Sequence, residues 1–239
     1  MSTWVFDLGN TRLKCAEVGA DGLPGETQAI AHDAAGDWLR ALPRGDVACV
    51  ASVASEERRV ALLDALSPRF LRIHRVHTQP RFGPLRIAYP VPAHLGVDRF
   101  LSLLDACGSG PVLVVGVGTA FTIDVLDADG GHRGGRIAPS PRLMREALHA
   151  RAMVLPEAGG AYAEFADDTA PALASGCEGA AIALVERSLA QATTLLGAAP
   201  ALRLHGGGAA TLRPLLPAHD WVPDAVLRGL ARWHALAFA

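Results

Sequence analysis

One plan of strands and turns occurs twice in this chain, and that repetition restricts its fold more than any other feature. Trp4-Val5-Phe6-Asp7-Leu8-Gly9 is a short apolar strand ending in a polar turn at Asn10-Thr11. Leu13 to Val18 returns from it, closed by a second turn at Asp21-Gly22. Val112 to Val117 starts the same way, turns at Gly118-Thr119, returns from Phe121 to Leu126, and turns again at Asp129-Gly130 towards a third strand near Arg133 to Ile137. Apolar runs broken by Gly, Asn and Asp at such intervals read as antiparallel hairpins. Superposing Gly9 on Gly118 puts Asn10 on Thr119 and leaves the closing Asp-Gly turns one residue out of step.

The stretches after each hairpin alternate in the manner of an α/β protein. Asp46 to Val53 reads as a buried strand, and Ser55 caps a helix whose apolar positions are Val60, Leu62, Leu63 and Leu66. Leu71 to Val76 is a further strand, Gln79 to Pro92 a loop, and Leu95 to Ala106 a helix with Phe100, Leu103 and Leu104 at helical spacing. In the second half, Pro141 to Val154 and Ala172 to Leu196 read as helices, the latter weakened at Gly176. Ala201 to Leu204 is a strand, Gly206-Gly207-Gly208 a turn into a short helix, and Pro223 to Phe238 a final amphipathic helix. Strands first and helices after, twice over, predict two similar α/β lobes, residues 1–107 and 108–239.

Composition narrows the function classes. The 22 basic and 24 acidic side chains nearly balance, and no basic stripe tracks a phosphate backbone, so no nucleic-acid partner is expected. The longest apolar run, Pro111 to Ile123, falls short of the roughly 20 residues a membrane helix needs. Asp7 follows only three apolar residues, too few for a signal-peptide core. Cys15, Cys49, Cys107 and Cys177 lie far apart with no CxxC pair, which reads as buried thiols in a reducing cytoplasm. His74 and His77 lack a third ligand nearby and read as surface residues, and the four tryptophans are too dispersed for a stacking platform.

The hairpin tips carry the first chemical signal. Gly allows close backbone approach, and turn N–H groups form an anion-binding concavity, so Asn10, Thr11 and Thr119 suit a phosphate. Asp7 would be repelled by phosphate itself but can hold Mg2+ against phosphate oxygens, directly or through water. Asp98-Arg99 reads either as a general base beside a carboxylate-binding guanidinium or as the acidic first turn of a helix.

Taken in order, Asp7-Leu8-Gly9-Asn10-Thr11, Gly96-Val97-Asp98-Arg99, Gly118-Thr119-Ala120 with Asp124, and Gly134-Gly135-Arg136-Ile137-Ala138-Pro139 resemble the type III pantothenate kinases, from residue 4 to about residue 230. The resemblance implies two RNase H-like lobes of the acetate and sugar kinase/Hsp70/actin superfamily with ATP in the cleft. It also implies phosphorylation of pantothenate to 4'-phosphopantothenate, the first step towards coenzyme A. On it, Asp7, Leu8, Gly9, Asn10, Thr11, Arg12, Leu13 and Lys14 form the first phosphate hairpin and Thr119 the second, while Gly206 and Gly207 sit by the adenosine. Asp98 is the implied general base. Tyr89, Gly96, Val97, Asp98 and Arg99 line the pantothenate site, with Thr169 reaching the neighbouring subunit's site in a homodimer. The implied cofactors are ATP, Mg2+ and a monovalent cation, K+ or NH4+.

Two positions depart from that pattern. Gly116 stands where many members have an Asp associated with the monovalent cation, which removes a hard oxygen ligand. Ser140 replaces a Gly after Pro139, so a turn needing positive φ there would differ. His205 precedes the Gly run where the family more often has Thr; it either touches nucleotide or fills space. A kinase of another small alcohol and a nucleotide-binding accessory protein without turnover remain alternatives, since fold alone does not set function.

Overall fold

The computed structural model of the chain describes residues 1–32 and 37–238. Two compact units emerge, one of residues 1–107 with 224–239 and one of residues 108–223.

In the first unit the strands are β1 (Thr3–Leu8), β2 (Arg12–Glu17), β3 (Gln28–Ala31), β4 (Gly45–Ser52) and β5 (Phe70–Arg75), with helix α1 (Glu56–Leu66) between the last two. They form one sheet in the order β3-β2-β1-β4-β5. The predicted hairpin is present, with Asp7 opposite Lys14, and β4 runs parallel to β1. Period-two alternation divides β1 and its neighbours between two faces. Phe6, Leu8, Leu13, Cys15, Ala48 and Val50 pack with Leu62 and Leu66 of α1 in one apolar core. Ser55 caps α1 as expected, accepting from the Arg58 N–H at 3.4 Å, whereas Val60 is 47% exposed and outside the core. The segment read as loop contains a small hairpin, β6 (Arg81–Phe82) and β7 (Leu85–Arg86), before helix α2 (Val97–Ala106). His74 is not a surface residue: its ring is half-buried and packs on Trp233 and Phe238.

The second unit contains β8 (Val112–Val117), β9 (Ala120–Leu126), β10 (His132–Pro139), α3 (Pro141–Arg151), α4 (Thr169–Leu196), β11 (Ala201–His205) and β12 (Asp220–Trp221). Its sheet has the order β10-β9-β8-β11-β12, with antiparallel and parallel neighbours in the same sequence as the first sheet. Leu113, Val115, Val117, Phe121, Ile123, Leu202 and Leu204 form its core with Ile182 and Val185 of α4. Gly176 does not interrupt α4, which runs unbroken through it. Ser140 needs no positive φ: at φ −67° it is the N-cap of α3 and accepts from the Leu143 N–H at 3.2 Å.

The last helix, α5 (Ala225–Ala237), corrects the expected division, because it belongs to the first unit and not to the lobe 108–239. It packs along α2, where Gly229 meets the Leu101 carbonyl so closely that any side chain would overlap it. Arg232 donates to the Leu104, Asp105 and Cys107 carbonyls, satisfying the open end of α2, which has no basic residue in its own last turn. Arg228 donates to Asp105 at 3.1 Å. Among the described residues, no helix is long and apolar enough to cross a membrane.

Candidate active site

In the first unit, the site residues are placed by β1, by its hairpin with β2 and by the start of α2. The Gly9 N–H closes the hairpin on the Arg12 carbonyl at 3.1 Å, leaving Asn10, Thr11 and Arg12 exposed at the tip. Arg58 of α1 anchors that tip by donating to the Asn10 carbonyl at 2.8 Å. Sequence reading missed this arginine, since nothing local marks a contact 48 residues away. Leu8 and Leu13 lie wholly in the core on the α1 face, so only their backbone is available to a phosphate.

Asp7 alternates to the other face of the sheet, the one on which α2 and α5 pack. Burial raises its pKa to about 7; the Asp98 carboxylate adds to the rise and Lys14 opposes it. The two carboxylates singled out by sequence therefore sense one another. Such a carboxylate is ready to be stabilised by a cation.

Gly96 is the N-cap of α2, and a β-carbon there would stand 2.5 Å from Asp98 Oδ1. Asp98 Oδ1 accepts the Arg99 N–H at 2.8 Å, which fixes the side chain in the first turn. Arg99 is only 5% exposed; its guanidinium donates to the Tyr89 hydroxyl at 3.3 Å and lies 5.7 Å from the ring centroid. Val97 is buried. Beside this segment, a cavity of about 340 Å³ is lined by Thr78, Gly96 and Val97 together with Arg59, Arg75 and His77, three basic residues that sequence reading did not connect with it.

In the second unit, the Gly118 N–H closes the hairpin on the Ala120 carbonyl at 2.9 Å, and Thr119 is exposed at the tip. Gly206 adopts φ 99° against the Val117 carbonyl, where a side chain could not fit, and the Gly208 N–H donates to that carbonyl at 3.0 Å. The Gly206-Gly207 turn is thus pinned to the end of β8, next to the hairpin tip. Thr169 stands exposed in the first turn of α4, behind an N-cap Asp168 that accepts its N–H at 2.7 Å.

No carboxylate stands at position 116. A β-carbon there would meet Thr122 Oγ1 at 2.7 Å and His205 Nε2 at 2.9 Å, so the room is already taken. Asp124, two residues along β9, is 2% exposed and bonded to His132 Nε2 at 2.9 Å. This donor set does not fit a monovalent cation, which needs several oxygen ligands. Among the described residues there is no group of three His, Cys, Asp or Glu that could hold a metal.

A family model for type III pantothenate kinase matches residues 4–191. A type III pantothenate kinase of Stenotrophomonas maltophilia K279a is 59% identical over 98% of this chain and 97% of its own length. One from Xanthomonas campestris pv. campestris B100 is 56% identical over the same shares. Among solved structures, a conserved Campylobacter jejuni protein assigned to the Baf family of transcriptional activators superposes with a TM-score of 0.66 at 18% identity, covering 97% of each chain. A Sinorhizobium meliloti protein described as a 2-dehydro-3-deoxygalactonokinase gives 0.55 at 15% identity, covering 99% of each. At those identities the structures speak to the fold alone. The family match and the closely related kinases go further: this chain belongs to the type III pantothenate kinase family.

Proposed function

We propose that this kinase transfers the γ-phosphoryl group of ATP to the primary hydroxyl of pantothenate, giving 4'-phosphopantothenate and ADP, the first step of coenzyme A biosynthesis. The observation that carries this reading is the start of α2, where Asp98 is held in the first turn next to Arg99 and close enough to Asp7 to raise its pKa. An alcohol is a weak nucleophile, and a carboxylate that takes its proton as the oxygen–phosphorus bond forms contributes roughly 10²- to 10⁴-fold. Asp98 is that base, and the bond from phosphorus to the ADP oxygen breaks in the same displacement. Arg99, buried and in contact with Tyr89, offers a planar guanidinium to the acceptor's carboxylate. Gly96 and Val97 complete that wall. Asn10, Thr11 and Thr119 hold the phosphates, with Arg12 and Lys14 supplying positive charge along the first hairpin and Gly206-Gly207 facing the adenosine. Mg2+, when bound beside Asp7, neutralises charge developing on the phosphate oxygens.

The chain acts as a homodimer on this reading, with Thr169 reaching the partner's pantothenate. Support comes from an apolar groove of about 690 Å³ on α3 and α4, lined by Leu143, Met144, Leu148, Leu173 and Cys177, and from the exposed apolar side chains Ile137, Met153, Val154 and Phe165 of the same unit, the last 99% accessible. A cytoplasmic setting is in keeping with four buried cysteines that form no disulfide. Light scattering of the wild type and of Leu148→Glu measures the assembly; a dimer that the substitution dissociates is the expected result.

Catalysis is tested with Asp98→Asn in an ADP-release assay. The variant is expected to keep ATP affinity and lose kcat by about 10²- to 10⁴-fold. A second reading, a nucleotide-binding accessory protein, draws on Gly116 where the family more often has Asp; it requires a wild type that binds ATP without turning over pantothenate. Turnover of a different alcohol in preference to pantothenate would change the acceptor and leave the chemistry.

A further inference from the structure

The two sheets place different side chains at equivalent points. In the first, the row across the strands is Lys14, Asp7 and Ala51. In the second it is Thr122, Gly116 and His205. With no side chain at 116, the His205 imidazole leans over the glycine from one neighbouring strand and the Thr122 hydroxyl from the other. His205 is half-buried, ends β11, and leads directly into the Gly206 turn that is pinned beside the Gly118-Thr119 tip. A hydroxyl and an imidazole supply hydrogen-bond donors to a phosphate, and their single oxygen falls short of the several oxygens that replace the hydration shell of a monovalent cation. An imidazole has an N–H to donate in either tautomer and when protonated.

We infer that His205 hydrogen-bonds a phosphate oxygen of the nucleotide at the second hairpin, and that the enzyme works without a monovalent cation at this row. The inference rests on the kinase reading and assigns to His205 a part that neither the family match nor the hairpin motifs give it.

The test is calorimetric titration with a non-hydrolysable ATP analogue and Mg2+, in choline chloride and in KCl of equal ionic strength, paired with pantothenate kinetics. Wild-type affinity and rate are expected to differ by less than about twofold between the salts. His205→Ala should weaken nucleotide binding on the order of tenfold, the size of one hydrogen bond to a charged group, and His205→Gln, which keeps an N–H donor, should recover most of it. The triple variant Gly116→Asp, Thr122→Ala and His205→Thr clears the side-chain atoms that occupy the space, restores a carboxylate, and should acquire K+ dependence of nucleotide binding. The 15N shifts of the His205 ring should move on adding the analogue, a change that space-filling alone would not produce. A wild type steeply activated by K+, or a His205→Ala variant with unchanged affinity, overturns the inference while the kinase reading stands. A wild type that binds no nucleotide overturns both.

Discussion

The sheets β3-β2-β1-β4-β5 and β10-β9-β8-β11-β12 share strand order and pairing sense, yet their functional rows have diverged. One copy keeps a carboxylate at its centre, flanked by the only lysine of the chain; the other has a glycine overlain by imidazole and hydroxyl. A duplicated frame thus provides two loop tips, the second one residue tighter than the first because Val117 pairs with Phe121 where Leu8 pairs with Leu13, and side-chain exchange at one register position separates a cation-attracting row from a donor row. The difference is chemical, because the backbone scaffold at the two positions is the same.

The largest change should come from making the first row resemble the second. Asp7→Asn is expected to lower kcat about a hundredfold or more, since it removes charge placed at the reacting phosphates. The same variant reports on pH. With its folded pKa raised from 3.8 to about 7, Asp7 binds its proton more tightly in the folded chain than in the unfolded one. Stability therefore declines as pH rises across that interval, and the melting temperature of Asp7→Asn should gain on wild type from pH 4 to 7 and then level off. In the wild type, affinity for the Mg2+–nucleotide complex should rise with pH through about 7 as the carboxylate ionises; a flat profile would remove Asp7 from the metal's surroundings.

Two helical glycines extend the comparison to packing. Gly229→Ala in α5 forces a methyl into the Leu101 carbonyl and should cost about 2–3 kcal/mol in urea unfolding. Gly176→Ala in α4, where the added carbon meets open space, should stabilise by about 0.5–1 kcal/mol. Equal effects at the two sites would contradict the close α2–α5 contact.

Much of this was readable in advance because it is local. The hairpins announce themselves through Gly-Asn-Thr and Gly-Thr turns inside apolar alternation, Ser55 through its position before α1, and the Asp98 segment through its resemblance to a known family. What escaped is either short or distant. Strand β3 is four residues with only Ile30 even partly buried, too weak a pattern to separate from loop. Val60 sits at helical spacing with Leu63 yet faces water, because α1 buries only the narrower stripe of Leu62 and Leu66. The place of α5 depends on Gly229 meeting Leu101 and on Arg232 reaching Cys107, contacts more than 120 residues apart in the chain. The overlay of His205 on Gly116 is likewise a parallel pairing across 89 positions, and no periodicity in either strand forecasts it.

The return of α5 orders the events of synthesis. A ribosome delivers residues 108–223 before the helix that stops the end of α2 exists, so the first unit must wait, with the α5-facing sides of β1 and α2 uncovered, while the later unit is already whole. A nascent chain arrested after Pro223 would carry an intact second sheet beside an unfinished first one, and the half that holds Asp7 and Asp98 would be the last to mature.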